Sequence, residues 1–368
     1  MSFRKKISNS LFYKYQGIRE NDTKITFGEL QEIKKIKFQF LAISALIGIL
    51  FVLIFYVPIY VFPSFFNDHV FEVNFFGLEL HVRWVRECSN LLLTYVELYF
   101  LSIVSIFMIH KLAAVLDFPA INSTHYALHQ RNIELLSLER NQKEEKDLGL
   151  DPFKGLSKVQ LFIMILISRF KAILSNLIIR FFLQRFAGRY ILSAVIDMVG
   201  MPVYAFWNAY TMKRLYDNAK FYIFSVELTD FLVGELEVQN DAKETLQMEI
   251  HDLLETVVRL KREYSYINYY FSSRMLECLK VEIDSTDKDR HYEFLKKETD
   301  SKAGHLIHLL FATGIILDGK ITRQERKYIA EFQSFSFTSK SPLTSIDSYL
   351  KAYQEGRALE YIKQQEWI

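Results

Sequence analysis

Phe38 to Phe62, FQFLAISALIGILFVLIFYVPIYVF, runs for 25 residues without a charged side chain. No other feature restricts the fold as strongly. As an α-helix it is longer than a hydrocarbon core of about 30 Å at 1.5 Å per residue, so it predicts a membrane span with some tilt. A soluble core helix of this length would ordinarily keep a polar face.

A second apolar block, Asn90 to Leu116, is also long enough to span, but carries Glu97 near its start and His110 and Lys111 near its end. Lys111 can snorkel to the interface, whereas Glu97 lies deeper and must be protonated, paired or turned toward protein. Basic residues precede the first block (Arg4, Lys5, Lys6, Lys14, Arg19, Lys24, Lys34, Lys35, Lys37). The connection from Pro63 to Ser89 has no lysine, and its Arg83 and Arg86 stand beside Asp68, Glu72, Glu79 and Glu87. The positive-inside rule therefore places the N-terminus in the cytoplasm and the connection outside. Within that connection, HVFEVNFFGLELHVRW alternates well enough for a small hairpin or an interfacial segment.

The third block is less regular. Val159 to Phe182 is interrupted by Arg169, Lys171 and Arg180, and Tyr190 to Tyr210 contains Asp197 and Pro202. The Ala187-Gly188 turn makes them a helical hairpin in which Arg180 and Asp197 lie at comparable depth and can pair. Both a spanning pair and a re-entrant or interfacial hairpin fit this pattern, and both return the chain to the cytoplasm.

Composition narrows the remaining choices. Half of the 368 residues are apolar, but 24% are charged, so the apolar residues are gathered in blocks. A net charge of +2 does not argue for nucleic acid. Cys88 and Cys278 form no CxxC pair, so neither a disulfide framework nor a zinc site follows from them. The first residues lack a continuous apolar core and a small-residue cleavage site, so a secretory signal is not expected. There is no Gly-rich phosphate loop, GxSxG or HExxH, and a non-enzymatic protein without a cofactor is expected. His125 and His129 are spaced i, i+4, but no carboxylate or cysteine within a turn completes a zinc site.

Downstream, Asp241 to Lys261 places apolar residues at 246, 250, 253, 254, 257, 258 and 260, which predicts an amphipathic helix. Asp284 to Asp300 reads as a polar linker. Then comes HLLFATGIILDGKITRQERKYIAEF, two helices joined at Asp318-Gly319. A calcium loop with Gly319 at its obligatory glycine and Glu325 at position twelve would put Ile316 and Asp318 at positions three and five, which leaves it short of oxygen ligands. A structural joint explains the same residues. Gly319 closes the first helix in a left-handed conformation, and Thr322 with Glu325 forms a capping box for the second.

The pattern of apolar helix, Asp318-Gly319-Lys320-Ile321-Thr322, Glu325 and a second amphipathic helix resembles the tellurite-resistance TerB-like helical domain, over roughly residues 301–368. The resemblance implies an all-helical bundle and singles out Asp318 and Glu325 as the positions for a metal. The membrane part is similar to uncharacterised bacterial membrane proteins that carry such a tail.

The expectation is an all-α integral membrane protein. Its parts are a cytoplasmic arm (1–37), a transmembrane pair (38–116), a cytoplasmic helix and loop (117–158), an apolar hairpin (159–211), cytoplasmic helices (212–283), a linker (284–300) and the TerB-like module (301–368). Both termini would lie on the cytoplasmic side of the inner membrane. The expected partners are the lipid bilayer and a protein at the cytoplasmic helices, with homo-oligomerisation left open. The expected role is a scaffold or sensor, in envelope or metal stress. The alternative is a small transporter or channel component using the intramembrane charges Glu97, Arg180 and Asp197.

Overall fold

The computed structural model describes residues 27–75, 78–120, 123–137, 148–154, 156–162, 193–238, 240–263, 265–281, 302–336 and 346–364. Arg180 lies outside them, and so does the side chain of Asp197. The chain divides into two compact units.

The first unit holds two long apolar helices, α1 (Phe27–Val61) and α3 (Trp84–Val115). Between them are a short helix α2 (Pro63–Asn67) and an antiparallel hairpin of β1 (Val70–Phe75) and β2 (Leu78–Arg83), paired Val70 to Arg83 through Phe75 to Leu78. The alternation in the connection thus folds as a hairpin, the one sheet among the described residues. Pro63 at the first position of α2 ends the preceding run, because proline cannot donate to it.

Both α1 and α3 are long and apolar enough to cross a membrane. Only 17% and 28% of their most apolar windows are buried, whereas the core helix of a soluble protein would be mostly covered. Leu46, Leu50, Leu91, Leu92 and Leu98 are exposed. Hydroxyls in these helices bond to their own backbone: Ser44 to Phe40 at 2.8 Å, Thr94 to Asn90 at 2.8 Å and Ser105 to Ser102 at 2.8 Å. Such bonds satisfy a polar side chain without water. Helix α5 (Ser193–Val238) enters this unit with its first half, to Tyr216. It continues unbroken past position 211, since no glycine or proline stands between Tyr210 and Ile223.

The second unit joins α4 (Tyr126–Ser137) and α5 from Asp217 onward to α6 (Asn240–Lys261), α7 (Tyr266–Leu279), α8 (Lys302–Ile316), α9 (Arg323–Ser336), α10 (Ile346–Gln354) and α11 (Ala358–Gln364). Helix α8 is its central element, with every residue from Leu306 to Leu317 buried. A Cβ at Gly314 would stand 2.9 Å from a Val257 methyl, so this glycine lets α8 press against α6. The apolar positions expected on α6 are buried at Leu246, Ile250, Leu253, Leu254, Val257 and Val258. Helix α5 from Asp217 onward, α6 and α7 share one compact unit with α8 to α11.

Candidate functional site

The turn between α8 and α9 carries the two acids singled out by the sequence. Gly319 has φ +74°, and its amide bonds to the Ile316 carbonyl at 2.8 Å, closing α8. The Thr322 amide donates to Glu325 Oε2 at 2.5 Å, and the Glu325 amide donates to Thr322 Oγ1 at 3.3 Å. This reciprocal pair is the capping box expected for α9. The Lys320 amide points to Asp318 Oδ1 at 3.4 Å, a long contact within the turn.

Between the acids stands a residue that the sequence reading did not single out. Lys261, the last residue of α6, places Nζ 2.7 Å from Asp318 Oδ1 and 2.8 Å from Glu325 Oε1. The same ammonium donates to the Ile315 carbonyl, one of the open carbonyls of the last turn of α8. The Lys261 side chain is 2% exposed, that of Glu325 0% and that of Asp318 11%. The contact with Glu325 is an ion pair without hydrogen-bond alignment, whereas that with Asp318 is a bond as well. Both helix ends gain from the arrangement, because a cation meets the negative end of α8 and a carboxylate the positive end of α9.

The turn is held from further sides. Tyr353 Oη on α10 lies 2.8 Å from the Leu317 carbonyl and 2.9 Å from the Phe221 carbonyl, and Gln354 Nε2 donates to the Gly319 carbonyl at 2.8 Å. Burial, followed by the negative charge of Asp318, pushes the Tyr353 hydroxyl well above its usual range and keeps it a donor. Lys261 thus fills the position between the two acids that a metal would take. A metal there would have to displace a buried ammonium and leave it unpaired, which is costly.

Signs of Lys261 were present in the sequence. Ile250, Leu254, Val257 and Lys261 recur at helical spacing, so the lysine lies on the apolar stripe of α6. A charge on such a stripe needs a buried partner.

A second polar site lies in the first unit. Glu97 on α3 is half-buried, and Asn208 Nδ2 on α5 donates to its Oε1 at 2.7 Å. A Cβ at Gly48 of α1 would stand 2.9 Å from Asn208 Nδ2 and 3.0 Å from the Tyr204 carbonyl oxygen. Three helices therefore meet at Gly48, Glu97 and Asn208, and the carboxyl expected to need a partner has one.

Elsewhere in the second unit, His129 and Asn132 of α4 converge on Tyr222 Oη at 3.0 and 2.8 Å, and Tyr270 donates to Asp230 at 2.6 Å. His129 therefore belongs to a hydrogen-bonded aromatic core, its ring 4.9 Å from that of Tyr270. Burial first, then His125 and Arg274, lower its pKa to about 4, so it is neutral at neutral pH. His251, Asp252 and Glu255 on α6 bring possible ligand atoms within 4.8 Å of one another, but Lys154 Nζ already stands 3.0 Å from Glu255 Oε1.

Compared with protein-family models, with curated proteins and with solved structures, the chain matches none of them.

Proposed function

We propose that this chain is a membrane-tethered scaffold or sensor, anchored in the inner membrane by α1 and α3 with both termini cytoplasmic, and that its C-terminal helices meet a protein partner. The reading rests above all on Lys261. With Asp318 and Glu325 both held by one buried ammonium from within the fold, the Asp-Gly turn acts as a lock between α6, α8 and α9 rather than as an open metal or reaction centre. The resemblance to a TerB-like module then applies to the helical frame, and the expected setting is envelope or metal stress. A groove of about 450 Å³ between α5 and α11, bordered by Phe224, Leu228, Arg357 and Lys363, offers a mixed apolar and charged surface for a partner segment.

The alternative, a transporter or channel component, draws on Glu97, whose carboxylate would line a path. Its bond to Asn208 favours a packing role. Two measurements separate the readings. In reconstituted vesicles, Glu97→Gln should leave ion permeability unchanged. In intact membranes, photo-cross-linking from the groove should capture a defined protein neighbour that is lost in Arg357→Glu/Lys363→Glu. Abolished flux in Glu97→Gln supports transport, and identical cross-linking in wild type and groove variant rejects the scaffold surface.

A further inference from the structure

The composition of the first half of α5 suits both a spanning and an interfacial placement, because Asp197, Pro202 and Asn208 dilute its hydropathy. The contacts with α1 decide between them. Gly48 packs against Tyr204 and Asn208 of α5. Tyr216 Oη donates to the Ile33 carbonyl at 3.1 Å, and Lys37 Nζ lies 5.0 Å above the Tyr216 ring. These contacts run in opposite chain directions, so α5 is antiparallel to α1 within this unit. The first is made in depth, because Gly48 lies near the middle of the uncharged run of α1, and the second at its edge, because Ile33 and Lys37 flank its N-terminal end.

We infer that residues Ser193 to Arg214 of α5 form a third membrane-spanning helix whose outer face contacts lipid. The inference rests on the reading of α1 and α3 as spans. At 1.5 Å per residue, Ser193 to Arg214 measures about 32 Å, close to the thickness of a hydrocarbon core. The point facing Gly48, midway between Tyr204 and Asn208, lies about 20 Å from Ser193 and about 12 Å from Arg214. Lys213 and Arg214 therefore reach the cytoplasmic headgroups, next to Lys37, where basic residues favour anionic lipid.

The surface of this helix has the required chemistry. Its inward side carries Asn208, satisfied by Glu97. Its outward side presents Phe206 (64% exposed) and Tyr210 (51% exposed), whose rings stack at 6.2 Å. Trp207 lies 5.7 Å from Tyr210. An exposed aromatic ladder ending in a basic pair suits acyl chains grading into headgroups. The inference also accounts for Gly48 and Asn208: a helix that only rested on the surface would not meet the middle of α1.

The test uses the full chain with Cys88→Ser and Cys278→Ser and single cysteines at Val70→Cys, Ser193→Cys or Arg214→Cys. A membrane-impermeant maleimide is applied to intact cells and to inverted vesicles. Ser193→Cys should label from outside as Val70→Cys does, and Arg214→Cys only from the cytoplasmic side. Labelling of Ser193→Cys from the cytoplasmic side alone, or from neither side, overturns the third span while Val70→Cys still labels outside. If Val70→Cys labels from the cytoplasm, the reading of α1 and α3 fails instead.

Discussion

Lys261 Nζ stands 2.8 Å from Glu325 Oε1, and both side chains are buried. One residue ends α6 and the other lies in the first turn of α9, so this pair, with Asp318, ties the Asp-Gly turn to a helix more than fifty residues earlier in the chain. The charges do not balance: one ammonium faces two carboxylates, and the exposed Lys320 adds a weak fourth partner 3.7 Å from Asp318 Oδ2.

Removing the lysine should be costly. Lys261→Met leaves two carboxylates without their cation and should lower stability by about 3–5 kcal/mol. Combining it with Asp318→Asn and Glu325→Gln should recover much of that loss, because Gln still serves the capping box. Thermal unfolding of the detergent-solubilised full chain gives the comparison. Equal stability of the single and triple variants would show that the charges are not coupled.

The capping box makes a smaller prediction. Thr322→Ala should cost about 1 kcal/mol, and Thr322→Ser should keep most of it. Faster amide exchange confined to the first turn of α9 in the alanine variant would locate the effect. No difference between the two variants would remove the hydroxyl from the account.

Gly319 meets two constraints at once. Its φ of +74° is unfavourable for other residues, and a Cβ there would come within 2.1 Å of the Phe221 ring. Gly319→Ala should therefore destabilise by more than about 1 kcal/mol, beyond the backbone cost alone. Gly319→Ala in a Phe221→Ala background should show a smaller penalty, measured as a double-mutant cycle.

In the first unit, Gly48→Leu should separate α1 from α5. The expected result is loss of a disulfide cross-link between cysteines placed at Lys37 and Tyr216. An unchanged cross-link would mean that the Gly48 contact does not set the packing.

His129 predicts a pH dependence with a definite sign. Its pKa is about 4 in the fold against 6.5 for the free side chain. As pH falls below 6.5 the unfolded chain takes up a proton that the folded chain refuses, so stability is full above 6.5 and declines until about pH 4. The loss should reach roughly 3 kcal/mol, at 1.36 kcal/mol per pKa unit. His129→Gln should flatten the pH 4 to 6.5 part of the unfolding profile, and a profile identical to wild type would remove His129 as its source.

Much of the local structure follows from residue order alone. The uncharged run of α1 can bury its length only in an apolar medium or a large core. The alternation before Trp84 needs only a tight turn to become β1 and β2. Asp318-Gly319 and Thr322-x-x-Glu325 contain their own termination and initiation signals, since glycine tolerates positive φ and a capping box closes over four residues. Each of these depends on interactions between near neighbours, and near neighbours are what a sequence displays.

What touches what across long separations was decided by packing. Asn208 reads as a polar interruption until it meets Glu97, 111 positions away. Lys261 reads as the basic end of an amphipathic helix until α8 and α9 bring two carboxylates to it. The metal reading of Asp318 and Glu325 turned on that third residue, because charge pairing depends on distance in space and the sequence records only distance along the chain.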